Sequence, residues 1–345
     1  MKDFLKELIA REGPLPIDRY MALCLGHPRF GYYMNRDPFG AAGDFTTAPE
    51  ISQIFGELVG IWCVAAWEAI GSPAPFALVE LGPGRGTLMA DILRATARAP
   101  EFQGALQLHL VEMSPSLRKM QQEKLGVQAR WHDTIETLPD EPLIFVANEF
   151  FDALPIRQIE KRLAKFFERV VVAQDADLKL AEIPAPVFEF EQDGLHEISP
   201  ISSIIAEGLG ARIAALCGAG LVIDYGHLES GVGDTLQALK AHKSCGILEH
   251  PGTSDLTAHV DFALLATAFS SGGADVLPAL TQGAFLNSMG LETRAMKLAA
   301  GLSGGPLADF IAGARRLVDD KEMGKLFKVL AVAQQNRAAL YPFET

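Results

Sequence analysis

The stretch Phe76-Ala77-Leu78-Val79-Glu80-Leu81-Gly82-Pro83-Gly84-Arg85-Gly86-Thr87 decides the architecture. Its first six residues form an apolar run of strand length, the pattern of a strand buried on both faces. Glycine then recurs at every second position, which permits a tight turn and a close approach of backbone to a ligand. Helical periodicity follows over residues 87–98. The same alternation repeats outward from here. Strands are expected at 106–111, 128–131, 143–147 and 221–223, with a helix at 115–125. Such alternation implies an α/β fold, a parallel sheet with helices on both faces. A late apolar run at 326–332 is placed to close the sheet as a last strand.

Two kinds of cofactor use a glycine-rich loop of this type, dinucleotides and S-adenosylmethionine. The dinucleotide fingerprint wants G-x-G-x-x-G/A. Gly82 and Gly84 fit it, but Thr87 takes the third place and Gly86 makes G-x-G-x-G instead. Glu80, two residues before the first glycine, suits a cationic cofactor and opposes a phosphate. Polar residues fall at successive strand ends, the edge where ligands bind in open α/β sheets. Glu112 ends the second strand, where a carboxylate accepts both ribose hydroxyls. Asp133 ends the third, where an acid accepts from an adenine amino group, and Asn148, Glu149 and Asp152 follow the fourth.

The flanking sequence sets the boundaries. Residues 3–25 read as two short helices around Gly13-Pro14-Leu15-Pro16. Residues 50–70 read as a long helix with Ile51, Ile54, Phe55, Leu58, Ile61, Trp62 and Ala65 on one face. Hairpins are expected within an insertion at 156–192 (166–172, then 178–183), and a second insertion spans 227–305. The division expected is an N-terminal helical and lid region (1–75), a catalytic domain (76–335) and a C-terminal tail (336–345).

The 345 residues carry 30 Lys+Arg against 43 Asp+Glu, a formal charge of −13, which disfavours nucleic acid as a partner. No apolar run reaches the roughly 18–20 residues of a membrane span. Four cysteines without a CxxC suggest reduced thiols, and the amphipathic, acid-containing start is unlike a signal or transit peptide. A cytoplasmic protein is therefore expected. His242, Cys245 and His250 lack a fourth ligand and a standard zinc spacing, so no metal is expected. Gly-x-Ser-x-Gly and the P-loop Gly-Lys-Ser/Thr are absent.

These blocks resemble the class I S-adenosylmethionine-dependent methyltransferases, with their Rossmann-like sheet, and more closely the MidA family. The similarity is carried by Gly43 to Glu50 with Phe55-Gly56-Glu57, by Glu80 to Leu88, and by Val111-Glu112 with Ser114-Pro115. It continues in Ala147 to Pro155, Ile223 to His227, Asp255 to Phe262 and Gly324 to Leu330, spanning roughly residues 3–335. The resemblance implies a protein arginine N-methyltransferase, in a bacterial-type chain without a transit peptide. It also implies a protein partner like the complex I core subunit modified by a mitochondrial member during assembly. A small-molecule methyltransferase and a non-catalytic cofactor-binding assembly chaperone are the alternatives.

Arginine is a poor nucleophile because its guanidinium stays protonated. An enzyme that methylates it needs carboxylates to grip the fork and to localise charge away from the attacking nitrogen. Glu149 is the first candidate and Asp152 the second. The two-glutamate spacing of other arginine methyltransferases is not reproduced, since Gln158 stands nine residues beyond Glu149. Asp44, Thr46, Thr47 and Glu50 are expected to cap the long helix or to fold over the cofactor as a lid. Tyr225 and His259 complete the substrate-side candidates.

Overall fold

The computed structural model describes residues 1–35, 47–126, 129–175 and 177–343. Two lid candidates, Asp44 and Thr46, lie outside them. Helices α1 (Lys2–Glu12) and α2 (Ile17–Gly26) are the two short helices the sequence implies. The long helix α3 runs Gln53–Ala69 and is capped by Ser52, whose side chain accepts from the Ile54 N–H. That corrects the capping expected of Thr47 and Glu50. Thr47 instead precedes a separate helical turn, Ala48–Ile51, without a side-chain cap bond, and Glu50 lies within that turn. The buried face of α3 carries Ile54, Phe55, Leu58, Val59, Trp62, Cys63 and Ala66, while Ile61 is exposed.

Strands β1 (Phe76–Leu81), β2 (Leu106–Val111), β3 (Ala129–His132) and β4 (Leu143–Asn148) follow, with α4 (Thr87–Thr96) after β1 and α5 (Pro115–Leu125) after β2. The insertion after β4 is an antiparallel sheet of β5 (Arg157–Arg162), β6 (Lys165–Gln174), β7 (Asp177–Pro184) and β8 (Gly194–Ile198). The two expected hairpin segments fall within β6 and β7. Leu15 and Pro16 pair with this sheet, so α1 and α2 form a separate core with it.

Helix α6 (Pro200–Leu216) returns the chain to β9 (Gly218–His227), and β10 (Phe327–Ala333) closes the sheet. The main sheet runs β10-β9-β4-β1-β2-β3, parallel except for β10, with short strands beyond and beside β10. The α/β fold expected from the sequence is therefore present, closing strand included. Apolar cores lie on both faces. One gathers α3 and α4, and the other gathers α6 and α7 (Phe262–Ser271).

Strand β9 is ten residues long where the sequence suggests three. Gly218, Gly220 and Gly226 read locally as turn signals, but here they make room for neighbours. A Cβ on Gly220 would lie 1.9 Å from the Phe145 ring, and one on Gly226 would lie 2.0 Å from the Val260 carbonyl oxygen. Only the pairing of β9 with β4 and with the short strand Val260–Asp261 reveals these constraints. Gly220→Ala is therefore expected to destabilise the protein by about 2 kcal/mol or more, because overpacking a closed core forces strain. Urea unfolding, compared at equal m-value, measures the loss.

Candidate active site

Chain direction across the sheet reverses between β1 and β4, and ligands bind at such a switch point outside the carboxyl ends of the strands. Register places the key residues level. Leu81 pairs with Val111 on one side and with Ala147 on the other, while Val111 pairs with His132. Gly82, Glu112, Asp133 and Asn148 are each the residue next along the chain. They open onto one cavity of about 740 Å³, which also touches Glu50, Glu80, Gly84, Glu149, Asp152, Tyr225 and His259.

The glycine loop forms the near wall. Gly82, Gly84 and Gly86 all have positive φ, at 61°, 52° and 75°. A Cβ on Gly82 would come within 2.9 Å of the Phe150 ring, so a side chain is excluded by conformation and by space. Glu80 is buried beneath the loop, and one of its carboxyl oxygens has no partner. Burial, reinforced by the nearby Glu112 charge, raises its pKa to about 8. Glu112 accepts from the Ser114 N–H at 2.8 Å and from Gln121 at 3.2 Å. Asp133 is largely exposed at the rim and ion-paired with Arg118 at 2.6 Å.

The turn after helix residue Ala48 reaches into the loop. Glu50 accepts from the Thr87 hydroxyl, to which Lys124 also donates. Its other carboxyl oxygen lies 3.8 Å from the Arg85 guanidinium.

The far wall is acidic. Glu149 adopts φ 50°, a left-handed conformation costly for a residue with a side chain, and its N–H donates to the Ile223 carbonyl at 2.9 Å. One carboxyl oxygen accepts from the Ala48 N–H at 3.0 Å and from the Asn148 amide at 3.2 Å. Asp152 accepts from the Tyr225 hydroxyl at 2.6 Å, and its other oxygen is buried without a partner. Burial, with the Asp152 charge beside it, raises Glu149 to about 8, and burial raises Asp152 to about 6. His259 is half-buried, packs edge-on against Tyr225, and is pushed toward its neutral form by burial.

Sequence reading missed four residues here. Asp224 is fully buried and accepts from the N–H groups of Phe151, Asp152 and Tyr225 at 2.9–3.2 Å, which pins the acidic loop. An acid inside the apolar strand Leu221-Val222-Ile223 was the available signal. Tyr33 donates to Asp255 at 2.8 Å, and both line the cavity. Gln121 lies behind the glycine loop. None of these last three is marked by local pattern, because their partners are 37 or more residues away or in another element. Among the described residues no group of three His, Cys, Asp or Glu is placed to hold a metal, and no helix is long and apolar enough to cross a membrane.

A glycine cradle, a buried acid with an open oxygen and a second acid at the next strand end suit a cationic nucleoside cofactor. Residues 58–279 match the family described as putative S-adenosyl-L-methionine-dependent methyltransferases, and the chain belongs to that family. It is an S-adenosylmethionine-dependent methyltransferase of class I fold. It is 35% identical to the Danio rerio protein arginine methyltransferase NDUFAF7, mitochondrial, over 98% of this chain and 88% of that one. The human protein of the same name is 35% identical, over 95% of this chain and 82% of the relative. A Burkholderia thailandensis structure described as bound to S-adenosyl-homocysteine superposes with a TM-score of 0.86 at 28% identity, covering 99% and 95% of the two chains. The expectation of a cytoplasmic protein is corrected by these curated relatives, which are named as mitochondrial.

The raised Glu149 pKa has a consequence for stability. The folded protein keeps the Glu149 proton up to about pH 8, whereas an ordinary carboxyl loses it near 4.5. The folded state thus binds more protons than the unfolded chain in that window, and stability falls as pH rises through it. Glu149→Gln removes this cost. Without cofactor, the variant is expected to gain ~1 kcal/mol or more over the parent between acid pH and pH 9. Denaturant unfolding at both pH values checks the sign, and an unchanged difference would refute it.

Proposed function

We propose that this chain is a protein arginine N-methyltransferase. The observation that carries the reading is the pair of acids after β4, half-buried Glu149 and buried Asp152, beside unpartnered oxygens of Asp152 and Asn148. Buried acceptors without donors are costly, and they call for a ligand rich in N–H groups. A guanidinium offers five in a planar fork. The names of the curated relatives agree with this reading.

S-Adenosylmethionine supplies a methyl group on a sulfonium, with Glu80, Gly82, Gly84, Gly86, Glu112, Asp133 and Asn148 as the residues that would hold it. Glu149 and Asp152 would hold the guanidinium in line and keep its positive charge away from the attacking nitrogen. The proton that nitrogen loses on methylation passes to this acid pair, whose raised pKa values suit an acceptor working near neutral pH. Asp224 and Tyr225 act by positioning, the first through the loop backbone and the second through Asp152. Glu50, Tyr225 and His259 line the same cavity and would meet the substrate. The partner is a protein presenting an arginine, and the family resemblance points to a respiratory complex I subunit.

The test is tritiated S-adenosylmethionine with a host extract and with isolated complex I subunits, followed by hydrolysis and detection of methylarginine. Glu149→Gln is expected to lower labelling by ~10²-fold or more while cofactor affinity stays within about threefold. Label on a small metabolite, or on no arginine, would overturn the reading. With a pKa of about 8, Glu149 is mostly protonated at neutral pH. Activity at subsaturating substrate is therefore expected to fall as pH drops from 9 to 6, and a flat profile would remove Glu149 from the grip.

A further inference from the structure

Gln121, on α5, is fully buried, and no part of it reaches the cavity. Its amide nonetheless meets three of the strand-end segments that form the cofactor wall. Nε2 donates to the Gly84 carbonyl at 2.7 Å and to Glu112 Oε2 at 3.2 Å. Oε1 accepts from the Trp131 indole N–H, in β3, at 2.8 Å. The orientation of the amide follows from its partners. An indole N–H only donates and a carbonyl only accepts, so oxygen must face Trp131 and nitrogen must face Gly84. Both amide hydrogens are then used, one on the glycine loop and one on the acid.

No other common side chain meets this demand. Glutamate would set its anion against Gly84 O and Glu112, methionine offers no donor, and asparagine is a methylene shorter. The stem of Gln121 also lies about 3.5 Å from where a Cβ on Gly86 would sit, so the residue packs directly under the loop.

The effect on Glu112 is specific. Ser114 N–H takes one carboxyl oxygen and Gln121 the other, and both bonds favour the anion against a burial that raises its pKa. Each oxygen keeps a lone pair for a ligand. A carboxylate fixed in this way presents two parallel acceptors, the match for a vicinal diol.

We propose that Gln121 is a positioning residue for the cofactor, holding Glu112 and the Gly84 carbonyl in the arrangement that recognises the ribose diol. The proposal rests on the reading of Glu112 as the ribose acceptor. Calorimetric titration of the full chain with S-adenosylhomocysteine and with its 2′-deoxy analogue tests both. The parent is expected to prefer the diol by about 10–100-fold, the value of hydrogen bonds to a charged group. Glu112→Ala should abolish the preference. Gln121→Met should reduce it to less than about threefold, and the double variant should be no worse than Glu112→Ala, since both act on one contact.

A Gln121→Met protein that keeps the parental preference, while Glu112→Ala loses it, overturns the proposal and leaves the ribose reading standing. A preference that survives Glu112→Ala overturns the ribose reading and the proposal with it. Should Gln121→Met not fold, Trp131→Phe carries the test. It frees the amide to turn from the half-buried side of β3 and touches no ligand-facing atom. The preference should fall about threefold, and an unchanged one overturns the proposal.

Discussion

The loop after β4 depends on one buried carboxylate. Asp224 has no access to water and takes three backbone N–H groups, two of them from Phe151 and Asp152. Those bonds hold the chain where it must leave the sheet sharply, with Glu149 in a left-handed conformation. The Glu149 N–H is itself held by the carbonyl of Ile223, the residue before Asp224, so one short stretch of β9 anchors both ends of the turn. Asp224 thus belongs to the site although it lines none of it.

The acidic wall exists at a cost to the folded protein. Burial raises the pKa values of Glu149, Asp152 and Asp224, and the Asp152 charge raises those of Glu149 and Asp224 further. Such an arrangement is sensible only where a cation arrives to balance it, and the sulfonium of the cofactor is one such charge. The site is destabilised in advance toward the charges it binds, the usual trade between activity and stability. Opposite it, the glycine loop and Gln121 form a neutral frame whose polar groups are paired with one another. Each wall also keeps a buried acid oxygen without a partner, Glu80 beneath the glycine loop and Asp152 opposite it.

Much of the fold was legible in the sequence. Buried parallel strands are continuous apolar runs, so β1, β2 and β4 declared themselves, and the glycine loop marked the switch point. The strand-end rule then placed Glu112, Asp133, Asn148 and Glu149 on one edge before any tertiary contact was known. The buried face of α3 was read less well, because Ile61 continues the helical period yet faces solvent. Strand β9 was read short, because its glycines are selected by Phe145 and Val260 across the sheet. Capping of α3 by Ser52 was missed for a similar reason, since Thr47 is a comparable cap by type.

By itself the sequence determined the α/β architecture, the glycine loop and the candidate acids, because these follow from local period and from residue chemistry at a strand end. Tertiary structure alone decided which groups meet. Gln121 reaches Gly84 and Glu112, Asp224 holds Phe151 and Asp152, and Tyr33 finds Asp255, each across 9 to 222 residues of chain. A hydrogen bond is set by distance and direction in space, and a buried side chain gives no local sign of the partner that will satisfy it.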